Sequence, residues 1–213
     1  YPTHGLGPVS TMLDINRGNR MLYLTSTATQ SRGLKKYIVD KGGMSHPNAS
    51  VDFKCGDIVT TVIKCHQGQT IMLSHDTNNP RPYSLNFRVQ GTLGIWQKDA
   101  RSFYIEGLSK DEHRWEKEDK YLEEFDHPLW KRFQDQAAGS GHGGMDFFIF
   151  RAFVEALKGA EPVIDVYDAV SMSVISPLSE KSIRLGSASV KIPDFTRGKW
   201  KKNKPIFGLN DQA

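Results

Sequence analysis

A chain of 213 residues with 38% hydrophobic residues is long enough to bury a hydrophobic core. No apolar run approaches the roughly 20 residues that cross a bilayer, and no basic segment followed by an apolar one opens the chain. The formal charge of +4 is small, and its excess lies in the segment around Trp200. This favours a solvated C-terminal extension over a nucleic-acid surface.

The first part of the chain predicts a helix, a strand and a second short helix. The first helix is expected over residues 9–16, because Pro8 suits an early helical position. Residues 20–27 predict a strand, and residues 33–40 a short surface helix or turn. The dense Pro, Gly and aromatic residues at positions 1–8 suggest that the sequence starts inside a longer protein.

The strongest β signal comes next. Ile58–Cys65 and residues 70–75 are β-rich runs joined by four polar or small residues, which predicts a hairpin. Residues 83–89, 94–97 and 103–106 predict further strands, giving a largely antiparallel meander.

The two cysteines flank the first strand of this hairpin. Cys55 and Cys65 would lie roughly 30 Å apart at ~3.3 Å per residue. A disulfide needs Cα atoms within about 7 Å, so both are predicted to be free thiols.

The second half predicts mainly helices. Residues 110–124 are expected to be a loop with helical pieces, and Pro128–Ala137 a short helix. Four glycines within residues 139–144 interrupt the helical pattern. The apolar residues that follow fall on one face of an amphipathic helix ending before Gly159: Met145, Phe148, Ile149, Ala152, Phe153 and Ala156.

The last predicted elements are a helix and an extended tail. Asp165 is a plausible N-cap for a helix through Val174, and Pro177 should kink or restart that helix. Residues 190–195 are expected to be extended.

Together these elements predict an α+β fold, with an open, mainly antiparallel sheet and helices mostly on one face. A single domain is expected over residues 1–213. No G-x-G-x-x-G turn follows a predicted strand and no P-loop is present, so the chain alone is not expected to bind a dinucleotide.

Three clusters of residues could carry chemistry. In the first, at positions 1–8, His4 lies on a proline-stiffened loop just before the predicted helix, where an imidazole can transfer a proton near neutral pH. A histidine that caps the helix or bonds within the core would explain this pattern equally well. In the second, at positions 75–83, two prolines bracket Arg81 close to Tyr83. Fixed donors beside an aromatic ring suit a sugar site, although a stiff crossing between strands would use the same residues.

The third cluster, at positions 141–146, surrounds His142 with glycines. Such a loop suits a mobile gate over a pocket, and it equally suits a plain surface loop. His142 and Asp146 together supply at most two metal ligands, so no metal site is expected.

At these same residues the sequence resembles glycoside hydrolase family 109, a branch of the glucose–fructose oxidoreductase and inositol dehydrogenase superfamily. Six ordered blocks carry the resemblance over essentially the whole chain: YPTHGLGPV (1–9), LDINRG (13–18), TIMLSHD (70–76), PRPYS (80–84), GHGGMD (141–146) and IPDFTRG (192–198).

The resemblance implies the C-terminal, substrate-binding and oligomerisation domain of that superfamily, without its N-terminal Rossmann domain. It implies an NAD-dependent glycoside hydrolase that acts on α-N-acetylgalactosaminides or related glycosides. The family's reaction oxidises the sugar at C3, eliminates the C1 substituent across C1–C2, adds water and reduces the ketone again. NAD is expected in the full-length parent and not in this domain alone. A bacterial periplasmic or cell-surface location and a homo-oligomer formed through the sheet are also implied.

The predicted site residues are His4 and His142 as catalytic groups, with Tyr1, Tyr83, Arg81 and Asp14 as substrate-binding groups. By resemblance, His4 relays the proton of the sugar C3 hydroxyl, and His142 shapes the C1 side of the site. Tyr1 and Tyr83 match sugar-lining tyrosines of the family, whereas Arg81 and Asp14 are added from their positions alone. No basic residue follows Ser84, where the family pattern has one, which leaves the substrate preference open.

Two other functions remain open from the sequence. One is the corresponding half of an NAD(P)-dependent sugar or polyol dehydrogenase. The other is a non-catalytic carbohydrate-binding or assembly module.

Overall fold

The structure, a computed structural model, describes residues 2–76 and 78–206. The chain divides into two compact units, the first formed by Tyr1–Pro82 with Ile164–Pro205 and the second mainly by Tyr83–Val163. Each unit has its own four-stranded antiparallel sheet. The predicted α+β class is confirmed, and the predicted meander is divided between two sheets.

The secondary-structure elements are as follows. The strands are β1 (Met21–Ala28), β2 (Ile58–Cys65), β3 (Thr70–Asp76), β4 (Arg88–Gly91), β5 (Gly94–Gln97), β6 (Ser102–Ile105), β7 (Glu116–Lys117) and β8 (Val190–Lys191). The helices are α1 (Thr3–Met12), α2 (Gly33–Gly42), α3 (Asp119–Phe125), α4 (Pro128–Ala137), α5 (Met145–Leu157), α6 (Val166–Ser173) and α7 (Ile175–Arg184). Short 3₁₀ turns form at His142–Gly144 and Lys199–Lys201.

The sheet of the first unit has the strand order β3-β2-β1-β8. The predicted hairpin is confirmed, because β2 and β3 pair along their whole length, with Val62 opposite Met72. One face of this sheet packs against α1, α6 and α7 and forms the core. The buried core residues are Leu6, Ile15, Met21, Leu24, Ile63, Cys65, Ile71, Met172, Ile175, Val190 and Ile192.

A chain of buried hydroxyl groups joins this sheet to α7. The side chain of Ser26 bonds to that of Thr61 at 2.8 Å, and Thr61 bonds to Ser179 at 3.1 Å. The backbone N–H of Ser26 also donates to the hydroxyl of Ser182 at 2.9 Å. Buried polar groups are tolerated when they are paired, so this chain fixes α7 across the strands without leaving these hydroxyls unsatisfied.

The C-terminal segment is anchored to the first unit through Trp200. The carboxylate of Asp194 accepts hydrogen bonds from Thr196, Gly198 and the indole of Trp200, at 2.7, 2.9 and 3.1 Å. The buried Trp200 ring lies 4.7 Å from the His66 ring, centroid to centroid, in the β2–β3 connection. The neighbouring lysines are exposed as expected, but the segment packs on the unit instead of extending from it.

The second unit has the strand order β4-β5-β6-β7, and aromatic rings fill its interior. Phe103 lies 6.1 Å from Trp96 and 5.4 Å from Tyr121 of α3, centroid to centroid. Farther along the chain, α4 and α5 pack against each other through Phe133 and Phe147, whose rings are 6.0 Å apart. The predicted bounds of α4 are confirmed.

Two predictions of local structure were wrong in their bounds. The first helix spans Thr3–Met12 instead of residues 9–16, so Pro8 lies inside it. It ends there because Asp14 and Asn16 adopt left-handed φ values of 53° and 67°, which no helix can continue. The strand predicted over residues 83–89 starts later and spans Arg88–Gly91.

The amphipathic helix predicted before Gly159 is confirmed as α5. No residue of this helix is buried. Amphipathicity measures how apolar a face is and not whether anything covers it.

The helix after Asp165 and its interruption are confirmed. The Asp165 carboxylate accepts the N–H groups of Tyr167 and Asp168 at 2.8 and 2.9 Å, as an N-cap does. A new helix, α7, starts at Ile175 and accommodates Pro177 in its first turn.

Both cysteines are free thiols, as predicted, with Cys55 exposed and Cys65 buried. Burial raises the pKa of the Cys65 thiol to about 11. Within the described residues, no helix is both long and apolar enough to pass through a membrane.

Candidate functional site

The start of α1 presents His4 at the surface of the first unit. His4 is the second residue of the helix, and not part of a loop before it as predicted. The turn closes because the N–H groups of Gly5 and Leu6 donate to the carbonyl of Pro2, at 3.1 and 2.9 Å. Leu6 is fully buried, whereas the His4 side chain is exposed. The imidazole is therefore held on a fixed helical turn with access to solvent.

This turn of α1 packs directly on β3. A Cβ atom at Gly5 would lie 3.3 Å from a methyl carbon of Leu73, so the helix backbone comes close to the strand. His75 is two residues farther along the same face of β3, about 7 Å beyond Leu73 at ~3.3 Å per residue. The exposed imidazole of His75 thus lies on the same face of β3 as the Leu73 side chain. The pKa of His75 is lowered by burial.

His75 was not among the predicted site residues. The alternation Ile71, Leu73, His75 places His75 on the same face of β3 as the buried Ile71, and the His75 side chain itself is exposed. That alternation was the signal that could have identified it.

Asp76, the last residue of β3, organises the turn that leads to Arg81. Its carboxylate accepts the backbone N–H groups of Asn78 and Asn79 at 3.3 and 3.2 Å. The guanidinium of Arg81 lies 3.4 Å from the same carboxylate and donates to the carbonyl of Pro82 at 3.3 Å. Arg81 thus folds back on its own turn, although 43% of its side chain remains exposed for a ligand.

Of the two predicted sugar-lining tyrosines, only Tyr83 lies among the described residues. Tyr1 lies outside the described residues. Tyr83, the first residue of the second unit, is 86% exposed. Its ring is available to a sugar face, and its role stays a prediction.

Asp14 lies at the other end of α1 from His4. The eight helical steps from His4 to Met12 separate the two ends by about 12 Å at ~1.5 Å per residue. Asp14 and His4 are therefore not brought together. One carboxylate oxygen of Asp14 is buried without a hydrogen-bond partner among the described residues.

The turn after α1 is fixed by a buried ion pair. Arg17 donates two hydrogen bonds to the carboxylate of Asp168, at 2.8 and 2.7 Å, and only about a tenth of either side chain is exposed (10% and 11%). The side chain of Asn16 donates to the same carboxylate at 3.1 Å. Burial alone would raise the pKa of Asp168, but the hydrogen bonds from Arg17 and Asn16 outweigh it and lower that pKa.

In the second unit, His142 and Asp146 form a pair. The Nδ1 atom of His142 lies 2.8 Å from a carboxylate oxygen of Asp146, in the first turn of α5. The glycines around them are required: Gly143 and Gly144 have φ values of 68° and 100°, and a Cβ atom at Gly144 would lie 2.9 Å from the Trp130 ring. Because the Asp146 carboxylate lies at Nδ1, the other ring nitrogen, Nε2, points away from Asp146. An imidazole held in this way is oriented for proton transfer.

The described residues do not fit an NAD site. Both sheets are antiparallel, whereas dinucleotide sites form where parallel strands lead through a glycine-rich turn into a helix. The connection after β1 does enter a helix, α2, but the N–H groups of Arg32 and Gly33 at its start both donate to Asp57, at 2.9 Å. That carboxylate fills the position a phosphate would need. Among residues 2–76 and 78–206, no group of three or more His, Cys, Asp or Glu side chains is placed to bind a metal ion.

Comparison with known proteins places this chain in a family. The family description "Glycosyl hydrolase 109, C-terminal domain" matches residues 1–202. A glycosyl hydrolase family 109 protein of Parabacteroides distasonis is 54% identical over 98% of this chain. Proteins named alpha-N-acetylgalactosaminidase from Tannerella forsythia and Shewanella oneidensis are 53% and 42% identical, over 98% and 97% of this chain.

The chain spans less than half of these curated relatives, namely 45% of the first two and 46% of the third. The resemblance noted in the six sequence blocks is confirmed over 202 residues. The chain belongs to glycosyl hydrolase family 109 and corresponds to the C-terminal domain of that family.

Proposed function

We propose that this chain is the sugar-binding half of an NAD-dependent glycoside hydrolase that acts on α-N-acetylgalactosaminides or related glycosides. The observation that carries the proposal is the match of residues 1–202 to the C-terminal domain of family 109. Two relatives named alpha-N-acetylgalactosaminidase favour the substrate class.

In this proposal His4 accepts the proton of the sugar C3 hydroxyl. An imidazole titrates near neutral pH and is suited to both accepting and returning a proton. The exposure of His4 on a rigid helical turn supports this role. His75 and the Asp76–Arg81 turn supply further polar groups at this edge of the sheet, with Arg81 as a donor to sugar oxygens.

Tyr83 and His142 lie in the second unit, and their roles are proposed from residue chemistry and from the family resemblance. The exposed Tyr83 ring offers the flat apolar surface on which sugars stack. The carboxylate of Asp146 orients His142, and we assign this imidazole to the C1 side of the sugar, where the leaving group departs.

NAD would bind outside this chain. Because the described residues do not fit a dinucleotide, we assign the cofactor to the part of the full-length protein that this chain does not span. We likewise propose that the full-length protein associates through the outer face of the first sheet. That face exposes Tyr23, Val62 and Met72, at 44%, 39% and 77%.

The test uses a full-length chimera in which this chain replaces the matching part of the Tannerella forsythia relative. We expect release of the aryl group from an aryl α-N-acetylgalactosaminide without added NAD. His4→Ala should lower kcat by about 10²- to 10⁴-fold, the usual contribution of a general base. His113→Ala is the matched control, because His113 is also exposed, at 87%, and should leave kcat unchanged.

Three results would contradict the proposal. Stoichiometric NADH accumulation without release of the aryl group would point to a sugar or polyol dehydrogenase. Sugar binding that His4→Ala leaves unchanged, with no turnover by any chimera, would point to a carbohydrate-binding module. Equal kcat values for His4→Ala and His113→Ala would remove His4 from the mechanism.

A further inference from the structure

The most apolar exposed surface of the second unit lies on α5. Six large side chains there are exposed: Met145 (56%), Ile149 (64%), Phe150 (67%), Phe153 (60%), Val154 (43%) and Leu157 (73%). A single exposed apolar residue needs no explanation, but six on one helix do.

These side chains form one continuous surface, called here the α5 face. At about 100° per residue they occupy roughly half of the helix circumference. The other half packs on α4: the rings of Phe148 and Trp130 are 5.2 Å apart, and the guanidinium of Arg151 lies 4.3 Å from the Phe133 ring. The α5 face is therefore the side of the helix that α4 leaves uncovered.

Charge is almost absent from the α5 face. Of the charged residues of α5, Arg151 and Glu155 lie on the half turned to α4 in the helical projection. Only Asp146 falls within the arc of the α5 face, at its N-terminal end, and it pairs with His142. Large apolar surfaces with few charges are typical of permanent interfaces, whereas transient ones are more polar.

We propose that the α5 face binds the part of the full-length protein that this chain does not span. The curated relatives are more than twice as long as the matched region, since the chain covers 45–46% of them. A folded body of that size in the same polypeptide is a permanent neighbour, which suits an apolar and charge-poor surface.

This inference rests on the proposed function only in treating the chain as one half of a longer enzyme. It adds a consequence for the site. Because Asp146 lies at the end of the α5 face, the bound half would cover the helix up to the His142–Asp146 pair. Docking of the two halves would therefore bring the remaining enzyme against His142.

Two measurements on the isolated chain and on the full-length chimera test the inference. First, Phe150→Cys is labelled with a maleimide, with the exposed Cys55 as the internal reference. We expect its labelling rate, relative to Cys55, to fall at least tenfold from the isolated chain to the chimera. Leu93→Cys, in the same unit and of similar exposure (69%), should label equally in both.

Second, Phe150→Asp is compared by thermal unfolding. In the isolated chain the side chain is exposed, and we expect the Tm to change by less than about 2 °C. In the chimera we expect a decrease of at least about 5 °C, because a charge would be buried at the interface. Leu93→Asp should have no such additional effect in the chimera.

Equal labelling of Phe150→Cys in both proteins would overturn the inference. So would a dimer of the isolated chain that Phe150→Asp dissociates, since the α5 face would then bind a second copy. Neither measurement depends on turnover. A chimera that protects Phe150→Cys but cleaves no glycoside would contradict the proposed function and leave this inference standing.

Discussion

The ion pair between Arg17 and Asp168 allows a quantitative prediction. We expect Asp168→Ala to lower the free energy of unfolding of the first unit by about 3 kcal/mol. The carboxylate accepts two hydrogen bonds from Arg17, one from Asn16 and one from the backbone of Asp165. Removing one partner of a buried pair costs about 3–5 kcal/mol. We take the lower end, because a tenth of each side chain reaches solvent (10% and 11%).

A double-mutant cycle separates this pair from the general loss of the side chain. Arg17→Ala should cost a similar amount, and the double variant should cost about 2 kcal/mol less than the sum, because the two groups act through each other. Asp165→Ala is the matched control in the same helix. It removes an N-cap and should cost only about 1 kcal/mol.

Urea unfolding followed by ¹⁹F NMR of 5-fluorotryptophan measures these changes. Trp200 lies in the first unit, whereas Trp96, Trp115 and Trp130 lie in the second, so its resonance reports on the first unit alone. Strict additivity of Arg17→Ala and Asp168→Ala, or a loss below about 1 kcal/mol for Asp168→Ala, would refute the reasoning.

The same pair predicts a pH dependence. The pKa of Asp168 is lower in the folded chain than its unfolded value of about 3.9. The folded state therefore gains stability from this group above pH ~4, and loses it as the pH falls through the lowered pKa. The stability difference between the wild type and Asp168→Asn should accordingly be largest near neutral pH and shrink below pH ~4.

Two further changes test the second unit and the sheet. Asp146→Asn removes the carboxylate bound to His142 and should lower kcat of the full-length chimera about tenfold without changing its Tm, because an exposed pair contributes less than about 1 kcal/mol. Unchanged kcat would argue against a catalytic His142. Met72→Glu, on the outer face of the first sheet, should shift the sedimentation coefficient of the chimera toward that of a monomer. A chimera that is monomeric before the substitution would contradict association through this face.

Local features of the fold were accessible from the sequence, and long-range ones were not. The bounds of β2 and α4 follow from β-branched composition and from Pro128 at a helix start. The bond between Arg17 and Asp168 joins residues 151 positions apart, and no local pattern signals it. The first helix was misplaced because Pro8 was taken as its start.

The candidate site shows the same division. Residue type and resemblance were enough to propose roles for His4 and His142, since an imidazole between prolines or glycines is conspicuous in a sequence. His75 required knowledge of which face of β3 meets α1, and that depends on tertiary packing. The separation of Asp14 from His4 became evident only once α1 was known to begin at Thr3.

The first unit is assembled from two stretches of chain, with the second unit inserted between them. As the polypeptide emerges from the ribosome, Tyr83–Val163 is complete while the first sheet still lacks β8, α6 and α7. During that interval β1 lacks its neighbour β8, and α1 alone of the three covering helices is present on the core face, and such exposed surfaces are prone to aggregate. The hydroxyls of Ser179 and Ser182 join strands made more than a hundred residues earlier, so the first unit can complete its packing only after residues 164–205 have been synthesised.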